Sequence, residues 1–422
     1  MRTLWIFLVA FAGLFLGISI TATDVESAAT ATNQLGVDLH RRLATGEDNL
    51  CLSPYSIQSA LAMTFAGAEG ETKTEMARVL HFRANEEKIH ASFASLQRGL
   101  EELAKNSAAL AEEAKKNGGS GEPITIAIAN RLFAQTGYDF RTGFRDSVKR
   151  FYGAPFEEMD FRTAPDRERQ RINKWVADQT RDRIRDLIPA GGINDATRLV
   201  LANAIYLKAP WADPFLESAT KEAPFHVRGG AAVDVPMMRR EDRNFGYFKA
   251  DRFTAVSMPY IGSKLQFVVL LPDEVNGLRQ LESKLTAEIL AQCAKLEPRD
   301  VDLSLPKFRF EPPTVPLADA LQALGMKSAF NEPRDSANFD KIAPRKPNEY
   351  LYLSQVFHKT FIAVDEKGTE AAAATAAVMM EATAIIKRTP PIEVKVDRPF
   401  VYAIQHVPSG ACLFLGRVTD PR

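Results

Sequence analysis

The chain has 422 residues, of which 45% are hydrophobic and 25% are charged, a composition typical of a soluble globular protein. Lysine and arginine total 53, as do aspartate and glutamate, so the formal net charge is zero. This balance gives no reason to expect nucleic acid or an anionic membrane as a partner, while the length alone allows two or three domains.

The first 22 residues have the pattern of a secretory signal. Arg2 precedes an apolar run over residues 4–20, and Thr21 and Ala22 offer a cleavage site with a small final residue. Because the apolar run is longer than a usual signal core, an uncleaved membrane anchor is the alternative. We predict a signal peptide at residues 1–22, a mature chain over 23–422, and a secreted, extracellular or periplasmic location.

Apolar residues recur at helical spacing mainly in the first half of the chain. Ser53 provides a cap and Pro54 a first turn for one helix, which is apolar nearly all round and should be buried. The other predicted helices cover residues 24–43, 86–116 and 166–188, with a short one after Gly70.

Strand patterns dominate from the middle of the chain onwards. Residues 198–207 form a continuous apolar run, as expected of a sheet buried on both faces. Shorter strands with intervening turns are predicted at 49–52, 124–129, 235–238, 245–247, 255–260, 265–272, 351–356, 361–364, 392–396, 400–405 and 412–418. No repeat and no flexible linker marks a boundary, so we predict one α+β domain.

The sequence contains no recognisable catalytic or metal-binding motif. It has no Gly-x-Ser-x-Gly, His-Glu-x-x-His, phosphate-binding loop or Cys-x-x-Cys, and none of its six histidines has metal-ligand spacing. Three cysteines lie in apolar surroundings and are predicted to be buried free thiols: Cys51, Cys293 and Cys412. We therefore expect no enzyme, no metal and no cofactor.

One alanine-dense segment, residues 366–377, lies between two predicted strands. Its helix propensity favours an ordinary surface helix, because alanine is the best helix former. Gly368 near its start and the pair Pro390-Pro391 beyond its end instead mark a segment bounded by breaks. Propensity alone leaves a surface helix as the leading interpretation.

The same segment resembles the hinge of the reactive-centre loop of inhibitory serpins. The residues that carry the resemblance are Glu366, Gly368, Thr369, Ala371, Ala372, Ala373 and Ala374. Further blocks match serpin signatures in serpin order: Ser53-Pro54-Tyr55-Ser56-Ile57, Ala129-Asn130-Arg131-Leu132-Phe133, Ile172-Asn173-Lys174-Trp175-Val176, Asn203-Ala204-Ile205-Tyr206-Leu207-Lys208, Val235-Pro236-Met237-Met238, Leu305-Pro306-Lys307-Phe308, His358-Lys359 and Arg398-Pro399-Phe400. The pair Ala209-Pro210 departs from the family, which usually has a glycine after the lysine.

The resemblance implies a fold and a set of functional residues. It implies a large central β-sheet, two smaller sheets, about eight to nine helices and an exposed reactive-centre loop at about residues 366–391. It implies a shutter under the central strands, formed by Ser53, Ser56, Asn203 and His358. It also implies a breach at the top of the sheet, formed by Trp211, Lys307 and Glu366, in which Glu366 and Lys307 pair.

The resemblance further implies a protease inhibitor that acts as a suicide substrate. A target serine or cysteine protease would cut the loop and form an acyl-enzyme, and the freed hinge would insert into the central sheet. Small side chains suit such insertion, because larger ones would overpack the sheet at about 1–3 kcal/mol per site. We expect a monomer that forms a covalent complex with the protease. The alternative is a non-inhibitory carrier, a chaperone or a plain protease substrate.

Two bonds are candidates for cleavage. Counting forward from Glu366 as in common serpins gives Ala382-Thr383, which suits an elastase- or subtilisin-type protease. Counting back from Pro399 gives Arg388-Thr389, which, with Lys387, suits a trypsin-like protease but leaves slack in the tether. We favour Ala382.

Overall fold

The computed structural model describes residues 22–116, 121–153, 156–227, 232–347, 349–370 and 390–422. In these ranges the chain forms nine α-helices. They are α1 Ala22–Leu43, α2 Pro54–Phe65, α3 Gly70–Val79, α4 Glu86–Lys116, α5 Thr142–Tyr152, α6 Pro165–Gln179, α7 Leu278–Lys284, α8 Ala287–Cys293 and α9 Ala318–Ala323.

The strands are concentrated in the second half, as the sequence predicts. They are β1 Leu50–Leu52, β2 Thr125–Gln135, β3 Glu157–Met159, β4 Leu199–Pro210, β5 Lys221–His226, β6 Ala232–Lys249, β7 Phe253–Pro259, β8 Leu265–Pro272, β9 Glu297–Pro306, β10 Phe308–Phe310, β11 Val315–Pro316, β12 Leu353–Thr360, β13 Ile362–Asp365, β14 Gly368–Thr369, β15 Ile392–Lys395, β16 Phe400–His406 and β17 Ala411–Val418.

The described strands form two sheets. The first has nine strands in the order β1-β17-β16-β8-β7-β6-β9-β15, with β5 paired to β6. The two smaller sheets expected beside the central sheet are continuous here, because the long β6 pairs with β7, β9 and β5. The second, which we call the central sheet, has the order β10-β13-β14-β4-β12-β11, with β2 paired to β4 and β3 to β2.

The middle of the central sheet is a parallel pairing that we call the seam. It joins β4 and β12 from Leu199 opposite Leu353 to Ile205 opposite Thr360. The neighbouring pairing of β2 with β4 is antiparallel. Parallel ladders are slightly less stable per residue than antiparallel ones, so one of the weaker kind of pairing lies at the centre of the sheet.

The two faces of the seam are covered by different elements. On the back face, α2 packs between the central sheet and β17, and all its residues are buried. On the front face, α6 and residues 180–193 cover β2, β4 and β12 with an apolar cluster that includes Ile184, Leu187 and Phe357. Any strand added at the seam would therefore have packed side chains on both faces.

Several predicted elements are confirmed with small changes at their ends. Helices α1 and α4 match the predicted spans, and Ser53 caps α2 by accepting a hydrogen bond from the backbone N–H of Ser56. The three cysteines are buried free thiols. No helix of the described residues is long and apolar enough to cross a bilayer, and the predicted signal at 1–22 lies almost wholly outside them.

Two element predictions are wrong. The helix predicted over 166–188 ends at Gln179, because Arg181 and Asp182 adopt left-handed backbone angles that a helix cannot continue through. The separate short strands predicted at 235–238 and 245–247 are parts of the single strand β6. The charged residues in the middle of β6 suggest a turn, but the chain stays extended there and Arg239 pairs with Asp302 of β9.

Candidate functional site

The top of the seam is held apart by a short strand. Gly368 and Thr369 form β14, which pairs antiparallel with Pro210 and Ala209 of β4 on one side and with β13 on the other. The backbone N–H of Glu370 extends this pairing with a hydrogen bond of 2.8 Å to the carbonyl of Ala363. The start of the alanine-dense segment is therefore a strand, not the surface helix that propensity favours, and residues 371–389 lie outside the described ranges.

A tight turn directs this strand into the sheet. The Asp365 carboxylate accepts hydrogen bonds from the backbone N–H groups of Lys367 (2.8 Å) and Gly368 (3.2 Å), an Asx-type turn. Gly368 has φ +154°, and a Cβ there would lie 2.2 Å from the carbonyl oxygen of Ala209. Only glycine fits this position, because the two backbones approach too closely for any side chain.

Aromatic residues support the turn and the strand from behind. Trp211 donates its indole N–H to the Asp365 carbonyl and its backbone N–H to the Lys367 carbonyl, both at 2.9 Å. Its ring stacks on Tyr260 at 4.6 Å between centroids, and the Tyr260 hydroxyl contacts the Thr369 hydroxyl at 2.5 Å. Thr369 is thus buried against the core in the uncleaved chain.

The predicted ion pair of Glu366 with Lys307 is present. Their Oε2 and Nζ atoms are 2.7 Å apart, and the Thr220 hydroxyl donates to the other carboxylate oxygen at 2.8 Å. Burial raises the pKa of Glu366, but the hydrogen bonds from Lys307 and Thr220 outweigh it and leave that pKa below its usual value. The carboxylate is therefore ionised at neutral pH and bound at the top of the sheet.

A second hydrogen-bonded cluster spans the seam below. His358 of β12 lies opposite Asn203 of β4, and its Nδ1 is hydrogen-bonded to the Asn203 side-chain oxygen. Its Nε2 accepts a hydrogen bond of 3.0 Å from the backbone N–H of Ser53, which assigns the ring proton to Nδ1. Complete burial lowers the pKa of His358 to about 3. The ring is therefore neutral across the physiological range.

Further contacts tie this cluster to α2 and to the other sheet. The Asn203 amide donates to the Ser56 hydroxyl at 2.7 Å, and that hydroxyl donates to the side-chain oxygen of Asn130 at 3.0 Å. The Ser53 hydroxyl donates to the carbonyl of Leu413 in β17 at 2.6 Å. One connected network thus fastens both strands of the seam to the helix behind them.

The structure brings most of the sequence-predicted residues together in two places. Ser53, Ser56, Asn203 and His358 form the lower cluster, while Trp211, Lys307, Glu366, Gly368 and Thr369 lie at the top of the sheet. The remaining predicted residues fall outside the described ranges: Ala371, Ala372, Ala373, Ala374, Ala382, Thr383, Lys387, Arg388 and Thr389.

Sequence reasoning missed several residues that complete the site: Asn130, Thr220, Tyr260, Asp365, Arg183 and Glu370. Asn130 gave a signal, since an amide inside an apolar strand needs a buried partner. Asp365, three residues before Gly368, is spaced for an Asx-type turn. Tyr260 and Thr220 are far from the hinge in sequence and gave none. Within the described part of the chain, no group of three or more His, Cys, Asp or Glu residues could hold a metal ion.

Comparisons with known proteins agree with this architecture. The family model for serpins, described as serine protease inhibitors, matches residues 30–421. The leukocyte elastase inhibitor of Bos taurus is 36% identical over 407 residues, covering 94% of this chain and 100% of that protein. A serpin-like protein of Thermococcus kodakarensis is 36% identical over 398 residues, covering 94% and 86% of the two chains. The structure of uncleaved ovalbumin superposes with a TM-score of 0.77 at 27% identity, covering 94% of this chain and 100% of that one.

Proposed function

The chain belongs to the serpin family, and we propose that it inhibits a serine protease by cleavage-triggered insertion of residues 370–382 into the central sheet. One observation carries the proposal: β14 already occupies the position of a new central strand, directly above the seam. Insertion would continue β14 downwards, replacing one parallel pairing with two antiparallel ones, which are the more stable kind per residue.

The register of β14 predicts which residue of β4 each inserted loop residue would lie opposite. Thr369 lies opposite Ala209 in antiparallel pairing, so each later loop residue would lie opposite an earlier residue of β4. Continued without a bulge, this register puts Thr375 opposite Asn203, the residue whose bond to His358 the new strand would break. A hydroxyl group would then face the two polar groups that insertion separates, and alanines would face the apolar positions around it.

The same register bears on the cleaved bond. The first residue of β4, Leu199, would lie opposite Met379, so insertion would use the whole length of β4 at that point. Ala382 follows three residues later, whereas Arg388 follows nine residues later. A protease acylated by Ala382 would thus be pulled against the lower end of the sheet, while one acylated by Arg388 would have slack. We therefore propose Ala382-Thr383 as the reactive bond, with Lys387 and Arg388 as the alternative.

Distance explains why insertion would inactivate the protease. From Thr369, which is already in place, to Ala382, 13 residues at about 3.3 Å each carry the acylated protease about 43 Å. Pressing it against the body of the inhibitor would distort its oxyanion hole, whose donors are each worth about 10²–10³ in rate. The acyl-enzyme would then persist as a covalent complex.

The protease class follows from the loop and the relatives together. Ala382 is a small residue of the kind that elastase-type proteases accept, and a relative at 36% identity is named leukocyte elastase inhibitor. We propose an elastase- or subtilisin-type serine protease as the target of a monomeric inhibitor. The apolar run at residues 4–20 supports secretion as part of the same proposal.

The test is incubation of the purified protein with elastase, subtilisin and trypsin. We expect an SDS-resistant complex with elastase or subtilisin, and a new N-terminus at Thr383. Complex formation with trypsin and a new N-terminus at Thr389 would move the reactive bond to Arg388. Cleavage without any complex would contradict inhibition and favour a plain substrate or a non-inhibitory carrier.

A further inference from the structure

A segment with a buried apolar side and exposed charged residues packs on the front of the seam. We call residues 180–188 the strap. Its Ile184 and Leu187 are fully buried and belong to one apolar cluster with Ala202 and Ala204 of β4 and Phe357 of β12. The Lys359 ammonium of β12 donates to the backbone carbonyl of Arg185 at 2.9 Å. The strap is thus fixed to both strands that insertion would separate.

One side chain joins the strap to the hinge. The Nε of Arg183 lies 2.5 Å from Oε1 of Glu370, the last described residue before the alanine-dense segment. The two ends differ in burial: the Glu370 side chain is 12% exposed and the Arg183 side chain 49%. Glu370 also has φ +44°, a left-handed backbone angle that is uncommon for a residue with a side chain.

The carboxylate of Glu370 needs this cation. Burial raises the pKa of Glu370, and the charge of Arg183 acts against that rise. Its second oxygen is buried and has no hydrogen-bond partner among the described residues. Two other cations act on it more weakly: Lys208 is engaged with Glu122 at 2.8 Å, and Arg309 lies over the ring of Phe361. Tyr206 also contributes a side-chain hydrogen bond to this carboxylate, so without Arg183 the buried group would keep only that bond and the two weaker cations.

We propose that Arg183 is a positioning residue that keeps the hinge at the top of the seam, by compensating the buried carboxylate of Glu370 until the loop is cut. A carboxylate without its partner is more stable in water than in a buried site. Without Arg183, Glu370 would therefore move towards solvent and pull β14 out of the sheet with it. The hinge would then begin insertion from further away. This inference rests on the proposed function for its consequence, but the position of the hinge can be measured on its own.

The substitutions follow from which partner is buried. Arg183→Met keeps most of the length of the side chain and removes its charge, so the Glu370 carboxylate loses its cationic partner. Glu370→Gln removes the buried charge and should have little effect alone. In the double variant, residue 370 carries no charge and therefore needs no cation. Glu370→Gln should thus cancel the effect of Arg183→Met. A role of Arg183 in packing alone would show no such cancellation.

The first measurement is hydrogen exchange of the uncleaved protein, read at the amide of Glu370, which bonds to Ala363. Arg183→Met should speed this exchange at least about fivefold, and the double variant should return it to the wild-type rate. Arg183→Lys should retain part of the protection. Arg185→Met is the matched control, because Arg185 lies on the same strap, 69% exposed, and pairs only loosely with Asp182. Unchanged exchange in Arg183→Met would overturn the proposal.

The second measurement is the number of inhibitor molecules consumed per protease molecule trapped. Arg183→Met should raise this number at least about twofold, because a displaced hinge inserts later and more acyl-enzyme hydrolyses first. If the wild type traps no protease while the exchange results hold, the proposed function fails and the hinge contact stands. If the wild type traps protease and Arg183→Met changes neither readout, the hinge contact fails and the proposed function stands.

Discussion

The two ends of the seam are fastened by different chemistry. At the top, β14 separates β4 from β13, and charged, partly exposed side chains hold it: Glu366 with Lys307, and Glu370 with Arg183. Below, β4 and β12 are still paired, and a neutral, fully buried network around His358 and Asn203 holds them. Each pair at the top has its cation near solvent and its carboxylate largely buried, whereas the lower network is buried on both strands and resists opening until an added strand replaces it. At the top of the sheet, β4 and β13 are thus already separated by β14, whereas below it β4 and β12 are still held together.

The largest expected effect comes from placing a charge at the top. Thr369 is 2% exposed and faces Tyr260 in the uncleaved chain, so Thr369→Arg would displace β14 or leave an unpaired guanidinium in the core, and either result blocks insertion. We expect the protease to cut the loop as before, while the trapped fraction falls at least about a hundredfold. Gel analysis of complex against cleaved inhibitor measures both. Thr369→Ser, which keeps the hydroxyl, is the control. Covalent complexes formed by the arginine variant would show that insertion is not the mechanism.

Glycine 368 gives the next largest effect. In Gly368→Ala the new Cβ would lie 2.2 Å from the Ala209 carbonyl oxygen, so β14 cannot stay in place, at a cost of about 2–4 kcal/mol. We expect complex formation to slow at least about tenfold, measured from the loss of protease activity with time. Gly137→Ala separates the causes: Gly137 also has a positive φ, at +90°, but nothing lies within 4 Å of its Cβ position. Equal effects at both positions would mean that backbone strain, not close approach to β4, is responsible.

His358 of the lower cluster should make the free energy of unfolding depend on pH. Because the pKa of His358 is lowered from 6.5 to about 3, the unfolded chain binds a proton below pH 6.5 that the folded chain does not. The free energy of unfolding should therefore fall as the pH falls, by about 2 kcal/mol between pH 6.5 and pH 5 from this residue. Denaturant unfolding of the wild type and of His358→Gln measures the difference. His406, whose pKa burial lowers to about 4, titrates in both and cancels. Equal pH slopes would show that His358 is not the group responsible.

The sequence predicted most elements because local signals were strong. The cap at Ser53, the spacing of α4 and the apolar run of β4 each specify their structure without help from distant residues. Prediction failed where tertiary contacts decide. The end of α6 depends on the left-handed turn at Arg181 and Asp182, and the middle of β6 is a strand because charged partners face it from β9.

The site was predictable in part for the same reason. Residues that match family motifs, such as His358 and Lys307, were located by resemblance. Tyr260 and Arg183 were not, because each acts on the hinge through a contact between segments more than 100 residues apart in sequence. No local pattern marks a residue whose role depends on which strand the fold places beside it.

We propose, above all, that the uncleaved chain stores a strand outside a sheet that is more stable with it inside. The direct test is thermal unfolding of the intact protein and of the same protein nicked once between residues 382 and 389, so that residues 370–382 stay joined to β14. We predict that the nicked protein unfolds at least about 10 °C higher, equivalent to several kcal/mol, because the loop has entered the seam. Equal or lower unfolding temperatures after nicking would contradict the claim.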